Sequence, residues 1–506
     1  MRRGYSARYP LGSVAGPRVF KPLPAGGEVF HGILTQTDFE RHSVETPGPT
    51  PVKRELDFEQ IRSPSSLDGP MARARIHRHT AAHTTGNPAP QHGGNMTHKL
   101  SRRAVLAAGA ATALSARPAR AADKTIRVGV LTDMAGTYSA LLGPGSVLGA
   151  RLAVEDFQKA HPEIAVELVS ADLLLKPDVA LAIAGDWFDN KGIDLLTDVP
   201  LSSAAYAIGD MAKAKDKLAI FTGAASSMVT GAKCGPNHLH WVYDTWGIPH
   251  AVVEATVKDG GDSWFFLTAD YAFGHTLAAD CMSFVKGSGG TVKGEARHPF
   301  PGTTDFSAFL LQAQASGAKV VGLANGGTDA VNCIKQAVEF GLVKAGKKIV
   351  GTGLLINDIF SVGLEVAQGV RLAEPFYWDM NDGTRAFGQR FQARMQTKAM
   401  PNSAQAGQYS AVSHYLKTVA AMGVDRAKSS GRDVIAQMRA NPPKDPIFGD
   451  SFIREDGRVI HPIHLFEVKS PSESKGPWDL LKLKATIPTE QAFRPLKDGG
   501  CPMIKV

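Results

Sequence analysis

The sequence predicts an α/β fold built as two doubly wound lobes. Apolar runs of strand length alternate with helix-like runs, and the rhythm stops near Trp246 and then starts again. Alternation of this kind implies parallel sheets covered by helices on both faces. Length agrees, because about 380 residues remain from Asp123 onward, too many for one ordinary core and enough for two.

The first element sets the pattern. Ile126, Val128, Val130 and Leu131 form a strand-length run, and the Gly, Pro and small polar residues from Gly136 to Ser146 break it. Val147, Ala150, Leu152, Val154 and Phe157 then recur near helical spacing, with Ser146 expected as the cap. A strand that passes through a Gly-rich turn into a helix aims backbone N–H groups and the positive helix end at the space above the strand's carboxyl edge. Small anions bind well in such a place.

The other elements follow in order. Ile164 to Ala171, Ile193 to Thr197 and Leu218 to Phe221 read as strands, separated by helices over Val179 to Phe188 and Ala204 to Lys215. After Trp246 come a helix over His250 to Lys258, a strand over Trp264 to Thr268, and helices over Leu277 to Lys286 and Phe306 to Ser316. A strand over Val320 to Ala324 and a helix over Ala330 to Phe340 complete the second set. Beyond Pro375 the pattern turns helical, over Ala386 to Thr397 and Ala404 to Met422. A hairpin-like pair, Ser451 to Arg454 and Val459 to Val468, then turns at Asp456-Gly457.

Ahead of these lies a leader. Residues 1–95 are rich in Pro, Gly, Thr and His with no sustained apolar period, and read as a disordered or untranslated extension. Residues 96–121 read as a twin-arginine-like signal peptide. Ser101-Arg102-Arg103 opens an Ala/Leu/Val run to Leu114, and Ala119-Arg120-Ala121 is a small-x-small cleavage pattern, so Met96 is the expected start. The apolar run is too short for a membrane span. The leader carries 17 of the 56 Lys and Arg but only 8 of the 48 Asp and Glu, which leaves 39 basic against 40 acidic residues after Ala121. The net +8 of the chain is thus a property of the leader and argues for neither nucleic acid nor a membrane surface as partner.

Candidate chemistry gathers at strand ends. Leu201-Ser202-Ser203-Ala204 follows one strand and opens a helix, and Ala224-Ala225-Ser226-Ser227 repeats the arrangement after the next, so hydroxyls and free helix N–H groups converge. Each serine alone also fits an ordinary helix cap. Aromatic residues cluster at Trp241, Tyr243 and Trp246, at Tyr271 and Phe273, and at Phe376, Tyr377 and Trp378, where hinge and core packing is the competing role. Among four cysteines, Cys281 and Cys333 sit within helices as small hydrophobes. Cys234 and Cys501 sit in Gly/Pro contexts that suit a disulfide in an oxidising compartment, although sequence does not fix the pairing.

Other chemistries are less well supported. Gly143-Pro144-Gly145-Ser146-Val147-Leu148-Gly149 is similar to a dinucleotide fingerprint, with Asp172 as the ribose acid of an exported NAD(P)-dependent oxidoreductase. That loop starts about a dozen residues past its strand rather than at its end. Cys234, His238 and His240 lack a fourth zinc ligand at a supporting spacing. No G-x-S-x-G, H-E-x-x-H or Walker motif is present, so no catalytic residue, cofactor or metal is expected.

The stretch T-I-R-V-G-V-L-T-D-M-A-G-T-Y-S-A-L-L-G-P-G-S-V-L-G-A-R-L-A-V-E-D-F, Thr125 to Phe157, closely resembles the opening of the branched-chain-amino-acid type (type I) of periplasmic solute-binding protein, the capture component of an ABC importer. The resemblance continues to the C-terminus. It implies two lobes joined by a hinge that the chain crosses three times, with one lobe over 123–246 and 376–443 and the other over 247–375 and 444–506. It implies that Ser202, Ser226 and the backbone of Ala224 hold a ligand carboxylate. His238 to Trp246 looks like a segment of the subgroup associated with aromatic acids. The candidate binding set is completed by Ser203, by Tyr243, Asp244 and Thr245 at the first crossing, by Tyr271 and Phe273, and by Asn325 and Leu354.

Amino-acid-binding members of the family place an acid after the strand that here runs Lys348 to Leu355, and this chain has none there. A buried ammonium without a counter-charge is costly. The expectation is therefore a periplasmic monomer that takes a small carboxylate, preferably an aromatic acid, and delivers it to an ABC permease in the inner membrane. A branched-chain amino acid or amide in the same fold is the alternative ligand. A sensor lobe of a membrane signalling protein shares the same binding physics.

Overall fold

The computed structural model describes residues 124–505. The extension expected over 1–95 and the signal peptide expected over 96–121 lie outside the described residues.

Two parallel sheets form the two lobes. In the first, β1 (Ile126–Thr132), β2 (Val166–Asp172), β3 (Leu195–Asp198), β4 (Leu218–Phe221) and β5 (His238–His240) stand in the order β2-β1-β3-β4-β5. In the second, β6 (Ser263–Ala269), β7 (Thr291–His298), β8 (Val320–Ala324) and β9 (Lys348–Gly351) stand in the order β7-β6-β8-β9. All seven residues of β6 are buried, as expected of a central parallel strand covered on both faces. A small antiparallel sheet joins β10 (Arg371–Glu374) to Ile463–Val468 and that strand to Leu481–Ile487.

After β10 the chain returns to the first lobe, where the helix Ser403–Met422 packs along the helix Gly143–Ala160. The glycines between them explain the fingerprint-like spacing in the sequence. A Cβ at Gly145 would stand 2.1 Å from the Gln405 amide, and one at Gly149 would stand 2.4 Å from the Gln405 carbonyl. These glycines serve a close helix crossing rather than a dinucleotide. Asp172 instead holds the Leu174 N–H at 2.8 Å in the following turn.

Several elements depart from the sequence reading. The first helix begins at Gly143 with Pro144 in its first turn, so Ser146 lies inside the helix and does not cap it. The helix expected from His250 begins at Gly247, because the Asp244 carboxylate accepts the N–H groups of Trp246 at 3.1 Å and Gly247 at 2.7 Å. The long strand expected over Val459 to Val468 is interrupted at His461-Pro462. Its first part, Val459–Ile460, pairs with Phe452–Ile453 in the expected hairpin, and its second part joins β10. Proline has no N–H to give the ladder and separates the two.

Cys234 and Cys501 are joined in a disulfide, with Cα atoms 5.6 Å apart. Cys281 and Cys333 are free and buried. The C-terminal segment, assigned with 444–506 to the second lobe from sequence, is thus tied to the loop after β4, and Arg494 donates to the Ser227 carbonyl at 3.0 Å beside the staple.

Candidate ligand site between the lobes

The carboxyl edges of the two sheets face each other across a cleft. On the first-lobe side the chain leaves β3 through Asp198 and Val199, both left-handed with φ of 81° and 57°. That conformation is costly for a β-branched residue and persists only where the surroundings enforce it. Here the Val199 N–H is held by the Leu131 carbonyl at 2.8 Å. The kink sets Pro200 into the cleft wall and starts the helix Ser202–Lys215 immediately behind it, leaving the N–H groups of its first turn without intrahelical partners.

The second strand end supplies more donors. Among the described residues, the N–H groups of Ala224 and Ala225 enter no hydrogen bond. His240 lies with Nε2 2.7 Å from the Ala224 carbonyl, and burial lowers its pKa well below the usual value, so the neutral ring donates to that oxygen. A peptide's C=O and N–H point in opposite directions, so this bond turns the Ala225 N–H away from His240, on the residue that lines the cleft.

Aromatic side chains form the walls. Asp133 accepts the N–H groups of Gly136 at 2.7 Å and Tyr138 at 2.8 Å, an Asx-type turn that fixes Tyr138 over the cleft. From the second lobe come Tyr271 and Phe273, and the Tyr138 and Tyr271 hydroxyls meet at 2.5 Å. Phe300 stacks on Tyr271 with ring centres 4.1 Å apart. The lobes touch again where the Thr328 N–H reaches the Thr137 carbonyl at 3.1 Å. Gly327, at φ 61°, permits this approach, since a Cβ there would stand 2.2 Å from that carbonyl oxygen.

Tyr138, Leu141, Leu142, Pro200, Ala225, Tyr243, Tyr271, Phe273 and Leu355 are among the residues that enclose the cavity, and none of the described residues that line it carries a charged side chain. The cavity volume is about 40 Å³. Ligand pockets run to roughly 300–1,000 Å³, so the lobes must part to take a larger molecule.

Of the residues expected from sequence, Tyr243, Tyr271 and Phe273 line this cavity. Ser202 is the first residue of its helix and not its cap, and its hydroxyl accepts the Ser226 N–H at 3.3 Å. Ser203 is half-buried on the same turn. Ser226 caps the short turn Ser227–Thr230 by accepting the Met228 N–H at 3.2 Å, and its hydroxyl contacts the second lobe. The Ala224 side chain is buried, and Ala224 does not line the cavity, whereas Gly223 and Ala225 on either side of it do. Asp244 holds the start of a helix, as described above, and Thr245 donates to Asp280 at 2.7 Å.

Asn325 is buried between His298 and Cys333, at 3.2 Å and 3.4 Å, with its carbonyl oxygen unpartnered. Leu354 packs on Gly351 in the second-lobe core, and Gly353 and Leu355 on either side line the cavity instead. Away from the cavity, Trp241 is buried and donates to Ser410 at 3.0 Å, and Trp378 donates to the Trp478 carbonyl at 2.9 Å, so these aromatic residues pack the hinge and core. Cys234, once tied to Cys501, is no longer a thiolate for zinc beside His238 and His240.

Two features escape sequence reasoning. Tyr138 sits in the loop after β1, where an aromatic among Gly and Ser is the only signal. Asp329 lies in the first turn of the helix Thr328–Glu339, 3% exposed, with Oδ2 unpartnered and 3.9 Å from His298 Nδ1. Burial raises its pKa to about 7. Burial also raises the Tyr138 and Tyr271 pKa values, and the nearby Asp329 charge adds to the rise. Asp329 itself does not line the cavity.

Behind Tyr243 lie three buried carboxyl groups, which burial pushes up to about 6 for Asp198 and about 7 for Asp358 and Glu374. A carboxyl with a raised folded-state pKa binds a proton that the unfolded chain has already lost. Its contribution to stability is therefore lost as pH rises from about 4 to about 7. Asp358 accepts the Leu355 N–H at 2.9 Å, a bond an amide oxygen can keep. We expect Asp358→Asn to stabilise the protein by about 1–3 kcal/mol at pH 8 and by little at pH 4, flattening the pH profile in urea melts.

A periplasmic binding protein family model matches residues 125–477. A periplasmic binding protein of Burkholderia mallei is 42% identical, with 76% of this chain and all of that one covered and a TM-score of 0.71. A Burkholderia xenovorans structure described as a branched chain amino acid ABC transporter periplasmic ligand-binding protein is 40% identical over 75% of this chain and 99% of its own, with a TM-score of 0.65. A Rhodopseudomonas palustris solute binding protein of an ABC transporter, in complex with 3,4-dihydroxy benzoic acid, shares the fold at 20% identity, covering 72% and 98% of the two chains with a TM-score of 0.63. No curated protein sequence matches the chain.

Proposed function

The chain belongs to the periplasmic binding protein family, with the type I two-lobed α/β fold of ABC transporter substrate binders, and from that premise we propose that it captures a small carboxylate with an apolar, preferably aromatic, body and hands it to an ABC permease. The observation that carries this reading is the cavity itself. Aromatic walls from both lobes face each other beside Ala225, whose N–H enters no hydrogen bond among the described residues, and none of the described residues that line the space carries a charged side chain. Backbone N–H groups and a helix N-terminus hold a carboxylate, and tyrosine and phenylalanine cover an apolar ring. Solute-binding proteins of the same fold that hold 3,4-dihydroxy benzoic acid, 4-hydroxybenzoate and benzoate support the choice of ligand class.

Closing is a hinge motion in which ligand contacts on both lobes bias an open and closed equilibrium. The working division puts 123–246 with 376–443 in one lobe and 247–375 with 444–506 in the other, apart from the C-terminal strap. Members of this family serve importers from the periplasm. Export by the twin-arginine route, action as a monomer and the absence of any catalytic step belong to the same reading.

An amino acid is the second reading, favoured by one observation: the unpartnered, buried Asp329 carboxylate close to Tyr138 and Tyr271. A thermal-shift screen of benzoates, cinnamates, aliphatic acids and amino acids separates the two, since a ligand that binds only the folded state raises the melting temperature. The expected hits are aromatic acids whose shift is unchanged in Asp329→Asn. If amino acids are the hits, and Asp329→Asn weakens them roughly ten- to a hundredfold, as loss of a bond to a charged group requires, the carboxylate reading fails.

A further inference from the structure

Beside the cavity, but outside its lining, a second set of contacts joins the lobes. Thr276 and Asp280 stand one turn apart on the helix Ala272–Gly287 of the second lobe, so their side chains share a face. Against that face lie Ser226 and Ser227, which follow β4, and Thr245 at the first crossing. The Ser226 hydroxyl donates to Thr276 Oγ1 at 3.0 Å. The Ser227 and Thr245 hydroxyls both donate to Asp280 Oδ2, at 2.9 Å and 2.7 Å.

The first-lobe half is held in place from behind. Tyr206 donates its hydroxyl to Ser226 Oγ at 2.5 Å, the Ser227 N–H is held by Thr245 Oγ1 at 3.0 Å, and Arg494 from the stapled C-terminal strap donates to the Ser227 carbonyl at 3.0 Å. None of these residues lines the cavity between Tyr138 and Tyr271. Hydroxyls that donate to a carboxylate make charge-assisted bonds, stronger than neutral ones, yet water replaces them readily once the lobes part. Such a contact suits a hinge that must close and reopen.

We propose that Thr276 and Asp280 form, with Ser226, Ser227 and Thr245, a polar latch that holds the two lobes together independently of any ligand. The latch sets how much closed form the empty protein populates. Because apparent affinity scales with the fraction of the binding-competent state, the latch adjusts affinity without touching the ligand.

The test is small-angle X-ray scattering of the ligand-free protein and three variants: Asp280→Ala, Ser227→Ala with Thr245→Val, and the triple variant. Circular dichroism confirms that each is folded, and Ser227→Ala alone serves if a combination is not. The wild type is expected to scatter as a compact particle. Asp280→Ala and the double variant should both show a larger radius of gyration, and the triple variant should add nothing further, because all three substitutions break one contact. Curves that superimpose on the wild type, whether compact or extended, overturn the proposal. So does an expansion in the triple variant that sums the other two.

Discussion

Arg458→Met is expected to lower stability by about 3–5 kcal/mol, the range for removing one partner of a buried ion pair. Arg458 is completely buried, and its guanidinium reaches the carbonyls of Val242 at 2.5 Å and Tyr243 at 3.2 Å. Asp244 stands 3.7 Å away, and the Phe493 ring lies beneath the guanidinium at 4.2 Å. Burial pulls its pKa down to about 10, with Asp244 acting in the opposite direction, so it stays charged at neutral pH. Arg458 lies in the hairpin that precedes Ile463–Val468, and its acceptors follow β5, so one side chain ties together two segments more than two hundred positions apart. His461 adds a parallel link, with Nε2 3.2 Å from the Trp241 carbonyl. Met fills similar volume but leaves the Val242 and Tyr243 carbonyls without this donor and the Asp244 carboxylate without its nearby counter-charge. Urea denaturation measures the loss, and a midpoint equal to that of the wild type would show that the crossings hold without the arginine.

Cys501→Ser is expected to cost about 2–5 kcal/mol under oxidising conditions, from the loop-closure entropy returned to the unfolded chain. The bond closes a separation of 267 residues, a long loop for this effect. It also fastens the strap that carries Arg494 and Phe493, so its loss should loosen the packing under Arg458. The wild type in reductant should fall to the melting temperature of the variant, and the variant itself should not respond to reductant. Peptide mapping without reduction identifies the bond directly, and a Cys281–Cys333 linkage in its place would contradict the structure.

The parts of the fold that were legible in sequence are those decided locally. Leu218–Phe221 and Val320–Ala324 are short, wholly apolar and flanked by breakers, and the structure places them at those residues. β7 was not legible, because T-V-K-G-E-A-R-H is an edge strand with mostly exposed or half-exposed side chains and no apolar period. Leu481–Ile487 was missed although L-K-L-K-A-T-I does alternate; only Leu481 in it is buried, and Leu483 on the apolar side is exposed. The site divides along similar lines. Small residues after β3 and β4 announce strand ends where the chain turns tightly, and so pointed to Ser202 and Ala224.

What those serines touch depends on the other lobe, which sequence spacing does not encode. Ser226 meets Thr276, fifty positions away. Asp329 reads in sequence as an acid that complements a helix N-terminus, and only burial without a partner sets it apart. Arg458 reads as a residue of a hairpin turn, and its acceptors lie more than two hundred positions earlier.

Isothermal titration calorimetry of the exported protein with benzoate and with leucine tests the central claim most directly. The account predicts saturable benzoate binding at one site per chain and no measurable heat from leucine. Tight leucine binding with no response to benzoate would contradict it, and would assign the cavity to an amino acid whose ammonium group meets Asp329.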